Sequence, residues 1–365
     1  MHALRLFAGP GARQFIQRHG LSPEHVGVVP AAAGGPKGLI LGPLDRFIFG
    51  EWLAQSVQPV HLVGASIGAW RMATACLSQS VAAFERLERD YIAQHYELPP
   101  GQKWPSADQV SETFGENLRQ FYGGRIDQVL NHPRYRLHIV TSRGRHLLGR
   151  DGKLRTPVGY AGAFLANALH RKALGHWLDR VVFSAADAAN PAHAVPLPFD
   201  ASDFRTRQVL LRDTNFMDAL QASCSIPFVL RPVHGIAGAP PGAYWDGGIT
   251  DYHLHLRYQP PSASPIVLYP HFQQAVVPGW LDKTWRQRYR ASPALDHMLL
   301  LAPNPAWVAT LPNGKLPDRQ DFKRYSADLP GRRQAWHGAT AAAQQLADEF
   351  GQWLEKPDLG RIEVL

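Results

Sequence analysis

The stretch Val63-Gly64-Ala65-Ser66-Ile67-Gly68-Ala69-Trp70 constrains this chain more than any other. Apolar Val60, Leu62 and Val63 precede it, and Ala69, Met72, Ala73, Ala75, Cys76 and Leu77 follow at helical spacings. The pattern predicts a strand that runs through a Gly-x-Ser-x-Gly turn directly into a helix. A serine on so tight a turn takes a strained backbone conformation and presents its hydroxyl. Small residues on either side let strand and helix approach closely, which is the logic of a nucleophile elbow. Glycine and serine also mark ordinary turns, so the weight of the motif depends on what accompanies it.

The first companion lies upstream. Val26-Gly27-Val28-Val29 reads as a short buried strand ended by Pro30, followed by Ala31-Ala32-Ala33-Gly34-Gly35-Pro36-Lys37-Gly38 and the apolar run Leu39, Ile40, Leu41, Leu44, Phe47 and Ile48. This is strand, glycine-rich loop, helix. Gly34 and Gly35 let the backbone turn with its N–H groups unblocked, and a helix N-terminus adds positive potential. Pro36 suits a first helical position, where its missing N–H costs nothing, whereas Pro43 predicts a bend or a helix beginning afresh. Such a loop can be a plain βα turn, a phosphate cradle or a receiver for the oxyanion of a tetrahedral intermediate. It lacks the Gly-Lys-Ser/Thr ending of a P-loop and the full dinucleotide fingerprint, which favours the oxyanion. Ser66 comes 31 residues after Gly35, one helix and one strand later. In a right-handed βαβ unit that brings both loops to the same edge of a parallel sheet.

The second companion spans 215–256. Met217 to Phe228 reads as a small-residue helix stopped by Pro227, Phe228 to Val233 as an extended run, and Ala243-Tyr244-Trp245-Asp246-Gly247-Gly248-Ile249 as a strand end and turn. An aspartate there, followed by two glycines, is held with its carboxylate free. Taken alone it is equally an Asx-type turn.

Elsewhere the pattern predicts a short helix over 11–20, helices over 81–125 with breaks at Pro99-Pro100-Gly101 and Gly123-Gly124, and strands at Tyr135–Thr141 and Val181–Ser184. A helix from Ala161 to Leu178 is expected to break near Gly175, and 190–206 reads as connection. Beyond 260, a strand is expected at Pro265–Tyr269 and a terminal helix at Ala335–Leu354. A chain of 365 residues can bury a substantial core, and 45% hydrophobic with 19% charged residues is the balance of a folded protein. Cys76 and Cys224 sit in apolar surroundings and are expected as core thiols of a reducing compartment. The N-terminal apolar run is too short for a secretory signal, and no stretch approaches the roughly 18 apolar residues of a membrane span, so a cytoplasmic protein is the expectation. The net charge is +8, yet there is no basic block, zinc signature or recognition-helix pattern, and nucleic acid is not an expected partner.

Taken together, the Gly34–Gly38 loop, the Gly-Ala-Ser-Ile-Gly elbow, Ala-Ser-Cys-Ser-Ile-Pro at 222–227 and Asp246-Gly247-Gly248, in that order, resemble the patatin-like phospholipase family over roughly 25–255. The resemblance implies a three-layer α/β/α sandwich with a mostly parallel central sheet. It implies a catalytic domain over 20–260, with 261–365 as an extension packed on it. It also implies a Ser–Asp dyad in place of a Ser-His-Asp triad: Ser66 as nucleophile, Asp246 as base, and Gly34, Gly35, Lys37 and Gly38 as the oxyanion hole. Gly64 and Gly68 belong to the elbow, and Gly247 and Gly248 to the Asp-Gly-Gly turn. Where the family loop has the form Gly-x-Gly-x-x-Gly, Ala33 stands in the first glycine's place, while Gly35 and Gly38 match the others and Lys37 the family's Arg or Lys. Ala33 keeps an N–H that can donate if its φ is negative, whereas Pro36 has none.

The implied reaction is lipid or other carboxylic-ester hydrolysis. A neutral serine needs a base within hydrogen-bond reach, and burial of Asp246 beside Tyr244 and Trp245 is expected to raise its pKa for that task. No metal or organic cofactor is expected, and no oxygen-rich loop points to calcium. One alternative is a conventional α/β-hydrolase with His253 or His255 as base, although alternation with Tyr252, Leu254 and Leu256 reads these as one face of a strand or turn. Another is a binding protein that keeps the fold without turnover, supported only by Ala33 and Pro36. The basic, aromatic stretch of Trp280, Lys283, Trp285, Arg286, Arg288, Tyr289 and Arg290 suggests peripheral contact with an anionic membrane surface, against the plainer reading of a packed helix with a solvated basic face.

Overall fold

The computed structural model describes residues 1–97, 102 and 104–365; the expected break at Pro99-Pro100-Gly101 lies outside the described residues. The short apolar runs become strands β1 (Leu4–Ala8), β2 (Val26–Ala31), β3 (Val60–Ala65), β4 (Tyr135–Gly144), β5 (Leu178–Ser184), β6 (Thr206–Leu210), β7 (Tyr244–Asp246), β8 (Ile266–Pro270), β9 (Met298–Pro303) and β10 (Ile362–Val364). They join in one sheet of order β10-β1-β9-β8-β2-β3-β4-β5-β6, with β7 paired to β4. Pairing is parallel except at β1–β9, β4–β5 and β4–β7. Every residue of β2, β5, β8 and β9 is buried. Strands that read as continuous apolar runs must be covered on both faces, and helices supply both covers: the expected three-layer α/β/α sandwich.

The helices are α1 (Pro10–His19), α2 (Gly42–Phe47), α3 (Ile67–Ala75), α4 (Ser80–Ala93), α5 (Ala107–Tyr122), α6 (Ile126–Leu130), α7 (Arg155–Leu169), α8 (Asp213–Ser223), α9 (Pro305–Val308), α10 (Gln320–Arg324), α11 (Leu329–Ala342) and α12 (Gln344–Glu355). Among the described residues no helix is long and apolar enough to cross a membrane. Pro43 sits at the start of α2, so the helix begins afresh there, as expected, after a 3-10 turn over Gly35–Leu41.

One feature of the register positions the site. On one edge of β4, β3 pairs residue by residue until Ala65 meets Val140. The next residue of β4, Thr141, pairs with Asp246, because β7 runs antiparallel along the same edge from Arg143 back to Thr141. β5 occupies the opposite edge. Two strands therefore meet end to end, one leaving the sheet at Ser66 and the other at Asp246.

Several boundaries differ from the sequence expectation. β2 continues through Pro30 to Ala31; its pairing with β8 stops at Val28, so the proline pairs only toward β3, opposite Val63. α8 begins earlier, where the Asn215 side chain accepts the Arg212 N–H, and ends at Ser223 before Pro227 is reached. Phe228 takes φ +69 in a turn, not an extended run. α7 starts at Arg155 and stops at Leu169, where His170 becomes extended, well before Gly175. The terminal helix is two helices meeting at Ala343. Residues 280–290 form two short 3-10 turns instead of a helix.

The helix after the glycine loop and the helix after the elbow are tied by a buried bidentate pair, Arg71 Nε and Nη2 donating to Asp45 at 2.6 and 2.7 Å. Removing one partner strands the other charge in the interior. Arg71→Leu is expected to cost about 3–5 kcal/mol, read from the urea midpoint, whereas the double variant Asp45→Leu/Arg71→Leu should recover most of that loss. A double variant no more stable than the single would contradict this account.

Candidate active site

The elbow forms as its sequence predicts. β3 ends at Ala65, Ser66 takes φ +57 and ψ −130, and α3 starts at Ile67. The left-handed φ is a strained state for a serine, and it persists because the surroundings leave no alternative. A Cβ on Gly68 would stand 1.9 Å from the Ala31 carbonyl oxygen, and one on Gly64 would stand 2.4 Å from Ala69 Cα. Only glycines let α3 drop this close onto β2 and β3. The Ser66 N–H donates to Ser223 Oγ at 2.9 Å, and Ser223 donates onward to the Val140 carbonyl at 2.7 Å.

Across the junction, Asp246 hangs on three backbone ties. Its N–H donates to the Ser225 carbonyl at 2.9 Å, its carbonyl accepts from Ser142 Oγ at 2.9 Å, and Gly247 passes over the Val140 carbonyl so closely that a Cβ would lie 2.0 Å from it. The carboxylate is fully engaged. Ser66 Oγ donates to Oδ2 at 2.7 Å, and the Gly248 N–H donates to Oδ1 at 2.7 Å. Ser66 is 4% exposed and Asp246 6%, with Tyr244 and Trp245 buried beside them, and both side chains line the cavity. Burial raises the Asp246 carboxyl above the ordinary carboxylate range; the Ser66 hydrogen bond, the Arg319 charge, the Gly248 N–H and the Lys283 charge pull it back down.

A cavity of about 190 Å³ opens over the pair, with Gly34 and Lys37 of the glycine loop in its wall. Ile226, Pro227 and Ile249 form an apolar side, and Trp280, Lys283 and Arg319 arrive from beyond residue 260. The N–H groups of Gly34 and Gly35 meet no protein acceptor among the described residues. Gly35 takes φ +57 and is buried, as is Gly38; Gly35 lies beside Arg319, and Gly38 lies against Ile67 and Arg71 of the elbow helix. Ala33 stays at negative φ, but its N–H donates to the Tyr252 carbonyl at 2.9 Å, so the donor expected to survive the Gly-to-Ala exchange is already taken. The Lys37 ammonium lies 5.4 Å from the centre of the Phe272 ring, and burial lowers its pKa.

The two candidate histidines sit elsewhere, in irregular chain and not on a strand. His253 is buried with Nδ1 between the Ala275 carbonyl and the Val277 N–H, each at 3.0 Å; His255 bonds the Val276 carbonyl and Ser292. Neither bonds Ser66 or Asp246. Burial lowers both pKa values, that of His253 far below the usual imidazole range. Among the described residues no group of three or more His, Cys, Asp or Glu is placed to hold a metal ion.

Sequence reasoning gave no role to Ser142, Ser223, Ser225 or Arg319. Ser223 and Ser225 lie inside a motif that the resemblance did use, so their pinning role was within reach. Arg319 carries no local signal, because it becomes visible only when the chain folds back over Gly35. Ser223→Ala is expected to strand the buried Ser66 N–H, costing about 1–3 kcal/mol in denaturant unfolding and slowing covalent labelling of Ser66. Unchanged stability and labelling would remove Ser223 from the support of the elbow.

A family model described as patatin-like phospholipase matches residues 33–253, which include the glycine loop, the elbow and the Asp-Gly-Gly turn. No curated protein matches the chain. With more than half of its length matched and the sandwich architecture in place, the chain belongs to the patatin-like phospholipase family.

Proposed function

We propose that the protein is a serine acyl hydrolase for lipid or other carboxylic esters, with Ser66 as nucleophile and Asp246 as base. The observation that carries this reading is the 2.7 Å hydrogen bond from Ser66 Oγ to Asp246 Oδ2, with no histidine among the described residues bonded to either side chain. Asp246 takes the hydroxyl proton as Ser66 Oγ attacks the ester carbonyl. The oxyanion of the tetrahedral intermediate falls to the Gly34–Gly38 loop, where the Gly34 and Gly35 N–H groups are unclaimed and Lys37 adds positive charge. Collapse expels the alcohol, which takes the proton from Asp246 and leaves an acyl group on Ser66. Asp246 then deprotonates a water that attacks the acyl carbonyl, and the acid departs as Ser66 regains its proton.

In this reading 20–260 is the catalytic unit and 261–365 an extension packed on it, which completes the sheet with β8 to β10 and the cavity with Trp280, Lys283 and Arg319. Contact with an anionic lipid surface rests on Arg286 and Arg290, because of the other cations in the 280–290 stretch Lys283 lines the cavity and Arg288 is bound to Asp282 and to the Asn167 carbonyl.

Labelling with a fluorophosphonate probe tests the assignment. Ser66→Ala should abolish it, and Asp246→Asn should slow it by about 10²–10⁴-fold, while His253→Gln and His255→Gln remain labelled. Loss in a folded histidine variant but not in Asp246→Asn would establish a triad, and a folded wild type that neither labels nor hydrolyses esters would establish a binding protein. Because burial raises the Asp246 pKa, kcat/KM should fall on acidification with a midpoint above the ~3.9 of a free aspartate. A rate that holds level down to that value would exclude Asp246 as the base.

A further inference from the structure

Three cations face the cavity over Ser66: Lys37 from the glycine loop, and Lys283 and Arg319 from the part of the chain beyond the 33–253 match. We propose that Lys283 and Arg319, together with Lys37, form a subsite for an anionic group, so that the preferred ester carries a phosphate or carboxylate beside its scissile bond. This deepens the acyl-hydrolase reading and rests on it.

Charge pairing elsewhere in the fold gives the first argument. Several buried and half-buried arginines are matched to carboxylates, Arg71 to Asp45, Arg180 to Asp203 and Asp251, Arg171 and Arg288 to Asp282, while buried Arg332 has only the Gln94 carbonyl among the described residues. Lys283 and Arg319 keep an exposed face at the cavity mouth, and among the described residues neither has a carboxylate within 4.0 Å. Two carboxylates also reach the cavity, and both are engaged. Asp246 holds the Ser66 hydroxyl and the Gly248 N–H, and Asp318 holds Lys315 at 2.9 Å and the Gln320 N–H at 2.8 Å.

Geometry gives the second. Lys283 Nζ stands 4.0 Å from the centre of the Tyr252 ring and 5.8 Å from that of Trp280, so aromatic faces hold the ammonium at the cavity without neutralising it. Arg319 Nε lies 3.3 Å from where a Cβ on Gly35 would stand, which sets the guanidinium over the loop proposed to receive the oxyanion. The three charges feel one another: Lys283 is lowered to about 8 by burial, then by Arg319 and Lys37. Gathering like charges in a partly desolvated site is unfavourable until an anion arrives, and charge-assisted hydrogen bonds to it then return the cost. The same lining includes Ile226, Pro227 and Ile249, apolar side chains that suit an acyl chain. A substrate that carries both an anion and hydrocarbon beside its ester matches this mixed lining.

The test measures the ratio of kcat/KM for matched anionic and neutral esters: p-nitrophenyl hemisuccinate against p-nitrophenyl butyrate, and monomeric dihexanoyl phosphatidic acid against dihexanoylglycerol. Lys283→Gln and Arg319→Gln should each lower the anionic-to-neutral ratio about tenfold, mainly through KM, and Arg319→Lys should restore part of it. A drop confined to the phosphatidic acid pair assigns a lipid phosphate; one confined to the hemisuccinate pair assigns a small carboxylate. If both variants lower the anionic and neutral rates in the same proportion, the cations serve only Asp246 or the fold, and the proposal fails. Titration of Ser66→Ala with inorganic phosphate separates this from the hydrolase reading. Phosphate binding weakened by Lys283→Gln and Arg319→Gln upholds the anion subsite even if the wild type hydrolyses no ester. Active wild type with unmoved ratios and unmoved phosphate binding overturns the subsite alone.

Discussion

The site depends on the hydrogen-bond ladder along one edge of β4. β3 occupies that edge up to Val140 and β7 occupies it from Thr141 onward, in opposite directions. A strand pairing is a rigid ruler, with its spacing set by backbone geometry alone. Ala65 and Asp246 thereby hold adjacent rungs, and with Ser66 the residue next to Ala65, a 2.7 Å hydrogen bond between the Ser66 and Asp246 side chains follows from the register. No loop has to be ordered to bring the hydroxyl to the carboxylate. The entropy of assembling the pair is met by folding the sheet, before any substrate arrives.

The turn after α8 acts as a clasp on this junction. Ser223 Oγ takes the Ser66 N–H and passes a hydrogen bond to the Val140 carbonyl, while the Ser225 carbonyl takes the Asp246 N–H. These backbone groups lie where strand pairing has run out, since β3 ends just before Ser66 and β7 ends at Asp246. Buried N–H groups left without partners there would be costly. The clasp supplies them, and because it bonds both residues it couples the strained φ of Ser66 to the placement of Asp246.

What could be read without the structure divides along physical lines. The elbow, the glycine loop and the Asp-Gly-Gly turn were legible because each demands small residues at fixed spacing, and the close approaches at Gly64, Gly68 and Gly247 account for that demand. The sheet core was legible where apolar residues run together, as in β2, β3 and β8. Leu4–Ala8, Thr206–Leu210, Met298–Pro303 and Ile362–Val364 went unread as strands; three are five residues or fewer, and their pairing partners lie far away in sequence. Boundaries near prolines were misplaced in both directions. Pro30 was tolerated because the β8 ladder had already ended, and Pro227 acted at a distance because α8 stopped at Ser223, four residues earlier. The Ala33 N–H looked available from its residue type, but availability was decided by Tyr252, a contact no local pattern encodes.

Arg319 and Lys283 bear on Asp246 as well as on the cavity. Burial alone works against an ionised Asp246, and an aspartate that stays protonated cannot accept the serine proton. Within residues 33–253, the groups that counter burial are the Ser66 hydroxyl and the Gly248 N–H; the Arg319 and Lys283 charges come from outside that span. Asp246 is left above an ordinary aspartate but pulled toward it by charge from the C-terminal third. That balance is what the proposed general base needs, since a carboxylate held too low would be a poor proton acceptor and one held too high would be neutral at working pH. The chain beyond residue 260 is thus tied to the Ser66–Asp246 pair twice, through the strands that complete the sheet and through the charges that bear on the Asp246 carboxyl. A chain cut at 260 would lose both, keeping every motif residue while losing the field in which they act.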